Sequence, residues 1–212
     1  MGYPVVSVTR VSETEVDLSQ TRFKYDNLTE EKAKFRDAAF WYKWDIPLWY
    51  TIDGQKHVME WLHHAHRIPV NASQLFVLNP DGIGYYRVNY GDEGWKKITE
   101  QLMKDHTLIS PAGRARLISD AFALAENGQL EYTRVFKLIE YLDKETELLP
   151  WSAAINNFKR ILNMYRDRAD GRFARVCNGN IPFSELKTKV VEFYCQLHAA
   201  DCTKQLYNLF KK

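Results

Sequence analysis

Leu75-Phe76-Val77-Leu78-Asn79-Pro80-Asp81-Gly82-Ile83-Gly84-Tyr85-Tyr86-Arg87-Val88-Asn89-Tyr90 runs straight into Gly91-Asp92-Glu93-Gly94-Trp95-Lys96-Lys97-Ile98, and the chain changes period between the two. Up to Tyr90, short apolar runs alternate with turn residues, the pattern of strands. Asn79-Pro80-Asp81-Gly82 lies between two such runs; Pro presets φ and Gly closes the turn, so a hairpin is expected there. From Asp92 onward apolar residues recur at helical spacing, beginning with Trp95, Ile98 and Leu102. The expected organisation is therefore a strand domain over 1–91 and a helical domain over 92–212.

Toward the N-terminus the strand signals continue. Val5, Val6, Val8 and Val11 open a β-rich run, and Val16, Leu18 and Phe23 mark a half-buried strand. Asp26 to Lys43 is charged and reads as a loop, with a short helical turn within it as the alternative. Ile46 to Ile52 and His57 to Leu62 flank Asp53-Gly54, a strong hairpin signal because Gly accepts positive φ. Pro47 lacks an amide to donate and belongs at an edge or a bulge. Several short strands at this spacing point to a β-sandwich.

Toward the C-terminus, Ser110-Pro111 supplies an N-cap with Pro at the first helical position. Leu117, Ile118, Ala121, Phe122 and Ala125 then share a face, and Gly128 stops the helix. Val135, Leu138, Ile139 and Leu142 form the next stripe. Pro150 starts another, with Ile155, Phe158, Leu162 and Tyr165 inward. Leu186, Val190, Phe193 and Tyr194, then Leu206, Leu209 and Phe210, continue the pattern. Short connections imply antiparallel neighbours. The last stripe reaches Lys212 with no stop signal, as expected of a helical array cut before its polar cap. The fold class expected is α+β by segregated domains: an antiparallel β-sandwich, then an antiparallel, superhelical α-domain that is truncated.

The 212 residues, 45% hydrophobic and 26% charged, have a globular balance. Basic and acidic residues interleave at a net charge of +2, so no nucleic-acid footprint is present. No apolar run approaches the ~20 residues of a membrane span. The opening residues lack a charged leader and read as a strand, so an anchor or export signal would lie outside this sequence.

The candidate chemistry is sparse. His63, His64 and His66, with His57, form a local histidine cluster. On a strand, His64 and His66 would share a face with His63 opposite, which is not a closed metal site. The plainer reading is exposed strand-end histidines. No His-Glu-x-x-His occurs, and His57-Val58-Met59-Glu60-Trp61 misses the inverted form at Trp61. There is no Gly-x-Ser-x-Gly nucleophile turn, and Asp81-Gly82-Ile83-Gly84 lacks the Lys-Ser/Thr of a phosphate loop. Cys195 and His198 are adjacent on one helix without an orienting third group. No catalytic residue and no metal ligand is assigned.

Asn27-Leu28-Thr29 and Asn71-Ala72-Ser73 are glycosylation sequons in expected loops of the strand half. Three cysteines, Cys177, Cys195 and Cys202, allow one bridge and leave one thiol. Unbroken helix would hold Cys195 and Cys202 about 10.5 Å apart, beyond disulfide reach. A turn at His198 to Asp201 would permit the bridge, and two buried thiols in one helix is the equal alternative.

Five segments in order resemble the M1 family of zinc aminopeptidases. Gly2-Tyr3-Pro4-Val5-Val6 resembles the start of its β-domain. Trp44 to Thr51 is similar to its Trp-x-Ile/Val-Pro strand, and Gly84 to Tyr90 to its most recognisable β-domain motif. Arg114 to Ala125 resembles the opening of its helical domain, and Glu145 to Trp151 the segment that follows. Gly113 departs from the pattern, since a polar residue commonly stands there. The resemblance implies that the family's zinc site, substrate loop and catalytic Tyr lie upstream of Met1, with no cofactor in this fragment and zinc in the parent enzyme. It implies that the strand domain is a spacer and the helices part of the active-site cover. The implied partners are the upstream catalytic domain, the downstream helices and the parent's peptide substrates, with no nucleic acid; the membrane-bound members also dimerise. It further implies that Cys195 and Cys202 form a helix-to-helix disulfide, leaving Cys177 without an evident partner. The parent is then an ectoenzyme, extracellular or secreted and of type II topology, with a cytoplasmic peptidase as the alternative. An inactive homologue with a decayed zinc motif is the competing class.

Overall fold

The computed structural model describes residues 2–25, 32 and 41–166, with side chains to 161. Strands come first and helices follow, an α+β order. Residues Met1–Ala154 form one compact unit and Ile155 onward a second.

β1 (Tyr3–Ser12) and β2 (Glu15–Phe23) form an antiparallel hairpin with an irregularity between Arg10 and Ser12. Val16, Leu18 and Gln20 of β2 are buried in alternation. Pro4, Val5 and Val6 of β1 are buried consecutively, as a strand covered on both faces requires. β7 (Ala65–Pro69) adds to β2 antiparallel. β9 (Arg87–Asn89) adds to β1 parallel, with Val5 opposite Arg87 and Val6 opposite Val88. The resulting order is β7-β2-β1-β9, so this sheet is mixed rather than purely antiparallel. β3 (Ile46–Leu48) pairs with β6 (Glu60–Leu62), and β4 (Tyr50–Ile52) with both β5 (Gln55–Lys56) and β8 (Phe76–Leu78). Pro47 sits in the two-stranded β3–β6 pair, opposite Trp61.

Asp53 and Gly54, at φ 49° and 79°, make the expected hairpin turn between β4 and β5. The second expected hairpin is absent. A turn does form, with the Gly82 amide donating to the Asn79 carbonyl at 3.0 Å. Its flanking strands then part: β8 joins β4 and β9 joins β1. The side chain of Asn79 explains the parting. It accepts from the Gly84 amide and donates to the Gly84 carbonyl, both at 2.9 Å, taking up the groups a ladder would use. Tyr90 then ties the two ends, its hydroxyl accepting from the Leu78 amide and donating to the Leu78 carbonyl at 3.1 Å.

α1 (Gly91–Asp105) buries Trp95, Ile98, Thr99 and Leu102 and lies against β1. α2 (Pro111–Glu126) begins as expected, the Ser110 hydroxyl accepting from the Gly113 amide at 3.1 Å with Pro111 at the first position. It buries Leu117, Ile118, Ala121, Phe122 and Ala125 and stops before Gly128 at φ 79°. α3 (Tyr132–Ile139) passes into a 3-10 turn, Glu140–Lys144, which carries Leu142. α4 (Leu148–Arg166) starts two residues before Pro150, whose missing amide is harmless in a first turn. The stripes at Leu186 to Phe210 lie outside the described residues, and so does nearly all of Asp26 to Lys43.

Candidate functional site

The most highly organised polar cluster is where β9 meets α2. Arg87 opens β9 and Asp120 lies on the buried face of α2; their side chains are 10% and 2% exposed. A charge so buried needs both a counter-charge and hydrogen bonds. Arg87 has them: Nη1 donates to Asp120 Oδ1 at 2.8 Å and to the Ser119 carbonyl at 3.2 Å, Nε to the Tyr3 hydroxyl at 2.7 Å, and Nη2 to the Tyr25 hydroxyl at 2.8 Å. The guanidinium also lies 5.3–5.8 Å from the ring centres of Tyr3, Phe23 and Tyr25, a cation–π cage. Asp120 Oδ2 accepts the Val88 amide at 3.0 Å, so the helix supplies an acceptor to the outer edge of the strand. Arg116 approaches Asp120 at 3.5 Å and donates to the Tyr86 carbonyl.

Burial works against the charge on Arg87, but Asp120, then Tyr3 and Tyr25, outweigh it and hold Arg87 above its ordinary value. Burial pushes the Asp120 carboxyl upward, while Arg116, Arg87 and the Val88 amide pull the other way. Burial, then the hydrogen bond with Tyr25, raises Tyr3 to about 12.

A second buried pair lies at the start of α2. Arg114 grips Glu145 through Nε and Nη2, at 2.6 and 2.8 Å, with both side chains under 5% exposed. Arg114 Nη1 also donates to the carbonyls of Ile109 and His106, at 2.5 and 3.2 Å. Glu145 Oε1 accepts the amides of Thr146 and Glu147, and the Glu145 carbonyl accepts from Trp151 Nε1. One guanidinium thus fixes the turn before α2 and the loop that leads into α4. Burial would raise Glu145, but Arg114 and the Glu147 amide hold its carboxyl below the ordinary range.

The histidines do not converge. His63 and His64 fall in the bend before β7 rather than on a strand, so His64 and His66 do not share a strand face. His63 Nδ1 lies 2.6 Å from Asp45, and His66 Nε2 lies 2.5 Å from Glu60. Glu60 also accepts from Tyr50 at 2.8 Å, and His57 stacks on Tyr50. Burial and then Glu60 push Tyr50 up to about 12. Among the described residues no three His, Cys, Asp or Glu side chains are grouped to hold a metal ion. Zinc therefore does not fit these residues.

Asn71 is exposed in the turn after β7, where its amide donates to Gln74 Oε1 at 3.0 Å and its carbonyl accepts the Gln74 amide. Asn27, Cys177, Cys195, His198 and Cys202 lie outside the described residues. Sequence reasoning missed three buried polar centres: Arg87–Asp120, Arg114–Glu145 and Gln20. The Gln20 side chain joins β2 to the carbonyls of Trp44 and His63 and to the Trp44 amide. The available signal was position. Arg114 precedes Leu117, Ile118 and Ala121 by three, four and seven residues, which places it on the apolar face of α2.

Residues 75–212 match the family model described as the ERAP1-like C-terminal domain. The chain is 34% identical to aminopeptidase N of Haemonchus contortus over 99% of its own length and 24% of the relative's. It is 44% identical to aminopeptidase-like protein AC3.5 of Caenorhabditis elegans, over 76% of this chain and 15% of that one. It is 34% identical to the human thyrotropin-releasing hormone-degrading ectoenzyme, over 73% and 15%. The chain belongs to the M1 aminopeptidase family. It spans between 15 and 24% of the length of these M1 relatives. Four of the five segments that carry the M1 resemblance meet at the buried pairs: Gly2 to Val6 brings Tyr3, Gly84 to Tyr90 brings Arg87, Arg114 to Ala125 brings Arg114 and Asp120, and Glu145 to Trp151 brings Glu145. Among the described residues no helix of this M1 chain is long and apolar enough to cross a membrane.

Proposed function

We propose that this chain is a non-catalytic part of a zinc aminopeptidase that removes N-terminal amino acids from peptides. The strand half serves as a rigid sandwich-like spacer, and the helices form part of a superhelical cover over the parent's active site. The observation that carries this reading is the Arg87–Asp120 pair, a buried and hydrogen-bonded ion pair that fastens β9 to α2. Zinc belongs to the parent's upstream domain, where it would polarise the scissile carbonyl and the attacking water. Here His63 and His66 are committed to Asp45 and Glu60 instead.

The parent is proposed to act outside the cell, as its ectoenzyme relative's name indicates for that protein. Glycans on Asn27 and Asn71, a Cys195–Cys202 disulfide and dimerisation through the helical part belong to this proposal. The upstream catalytic domain, the downstream helices and peptide substrates are its partners. The test is direct. The purified chain is expected to leave alanyl and glutamyl reporter substrates intact with or without added Zn²⁺, while the longer protein cleaves them. Stoichiometric zinc and turnover in the 212-residue chain alone would overturn the proposal.

A second reading is a binding module from an inactive homologue. It is favoured by the 44% identity to a relative named only aminopeptidase-like. Finding His-Glu-x-x-His upstream in the same protein would remove that reading; finding it decayed would establish it.

A further inference from the structure

A cleft of about 370 Å³ opens between β1, the turn at residues 70–75 and the start of α1. Its volume lies in the lower part of the range of small-ligand sites. Val8, Val16, Leu75, Phe76 and Ile98 line it, a floor of aliphatic and aromatic surface. Two cations also line it, Arg10 from β1 and Lys97 from α1. Arg10 Nη1 donates to the carbonyls of Val70 and Ser12, which leaves Nε and Nη2 uncommitted. Lys97 Nζ donates to the Gln74 carbonyl at 3.2 Å, one of its three protons. Among the described residues neither cation pairs with a carboxylate.

The carboxylates at the mouth, Asp92 and Glu93, offset the two cations only in part. Asp92 Oδ1 is 3.0 Å from Arg134 and so is already paired. Glu93, one turn before Lys97, makes no ion pair with it. Lys97 lies below its ordinary value, through burial first and the nearby charge of Arg10 second. With Asp92 held by Arg134 and Glu93 not in contact with Lys97, two cations set side by side on an apolar floor favour an anion with an apolar body, because each half of such a molecule is matched.

We infer that this cleft binds a small amphipathic carboxylate: a single ring or short alkyl chain seated on Leu75 and Phe76, with its carboxylate between Arg10 and Lys97. The inference is independent of the proposed zinc aminopeptidase role. Calorimetric or NMR titration of the whole chain with 4-phenylbutyrate tests it, with 4-phenylbutanol and 4-phenylbutylamine as controls. The acid is expected to bind saturably and roughly tenfold more tightly than the alcohol, with the amine weaker still. Lys97→Met keeps the aliphatic stem on a half-exposed helix face and should weaken the acid roughly tenfold without weakening the alcohol; Arg10→Gln should do the same. Equal binding of acid and alcohol would overturn the assignment of the two cations. No saturable binding up to about 10 mM, or acid binding unchanged in both variants, would overturn the site.

Discussion

A carboxylate deprived of water must find its charge partner inside the protein, and Asp120 finds one in Arg87. Removing only the cation is the damaging change. Arg87→Met leaves the Asp120 charge buried against Arg116 alone, and is expected to cost about 3–5 kcal/mol in urea unfolding. The double variant Arg87→Met with Asp120→Asn should recover much of that loss. The neutral amide carries no buried charge, and its oxygen can still accept the Val88 amide. A loss under about 1 kcal/mol for the single variant would place the pair in a far wetter setting than its 2% and 10% exposures imply. Glu145 gives a second expectation, in acid. Its folded pKa is depressed below the ordinary 4.5, so its contribution is fully present above the unfolded value and is lost as pH falls through the folded one. Wild type should therefore lose stability below about pH 4.5 more steeply than Glu145→Gln, the two curves converging toward low pH. Parallel curves in acid unfolding would contradict the assignment of that pair.

Elements show what periodicity can and cannot reveal. The α2 N-cap, the Asp53-Gly54 turn and the buried faces of α1 and α2 were legible, because each rests on residues within about one or two helical turns or strand spacings. The partners of β8 and β9 were not. Three-residue strands carry too little pattern to choose a neighbour, and the choice fell to Asn79, whose side chain holds Gly84. Nor were the ion pairs legible, since Arg87 and Asp120 lie 33 positions apart, as Arg114 and Glu145 lie 31 apart. Gly113 marked a departure from the M1 pattern, and its reason is steric: an added Cβ would lie 2.2 Å from the Pro80 carbonyl oxygen. Helix propensity alone favours Gly113→Ala by up to about 1 kcal/mol. Backbone oxygen cannot step aside as a side chain can, so the clash should win, with a net loss of about 1–3 kcal/mol in thermal unfolding. Ser110→Ala should cost about 1 kcal/mol through the lost cap. A stabilised Gly113→Ala would mean that α2 can slide away from the turn at Pro80.

The strand half and the first helices belong to one compact unit, Met1–Ala154, and the buried pairs explain why the junction should not open by parts. If α2 left while the sheet stayed, Arg87 would lose its counter-ion, Val88 its acceptor and Tyr86 one donor to its carbonyl. Those losses together exceed what local fraying commonly costs, while β1 would also lose cover as α1 followed. Partial opening is thus dearer than its few exposed contacts suggest, and opening of the whole unit becomes the competitive route. Hydrogen exchange under native conditions should then give the amides of Val6 and Leu18 in the sheet and of Ile118 and Phe122 in α2 a common opening free energy. In Arg87→Met these groups should separate, with α2 exchanging first because its tie to β9 is the interaction removed. If α2 exchanged well ahead of the sheet already in wild type, the Arg87–Asp120 pair would be a local ornament of the sheet edge, and the proposal that it fastens a spacer to a cover would fail with it.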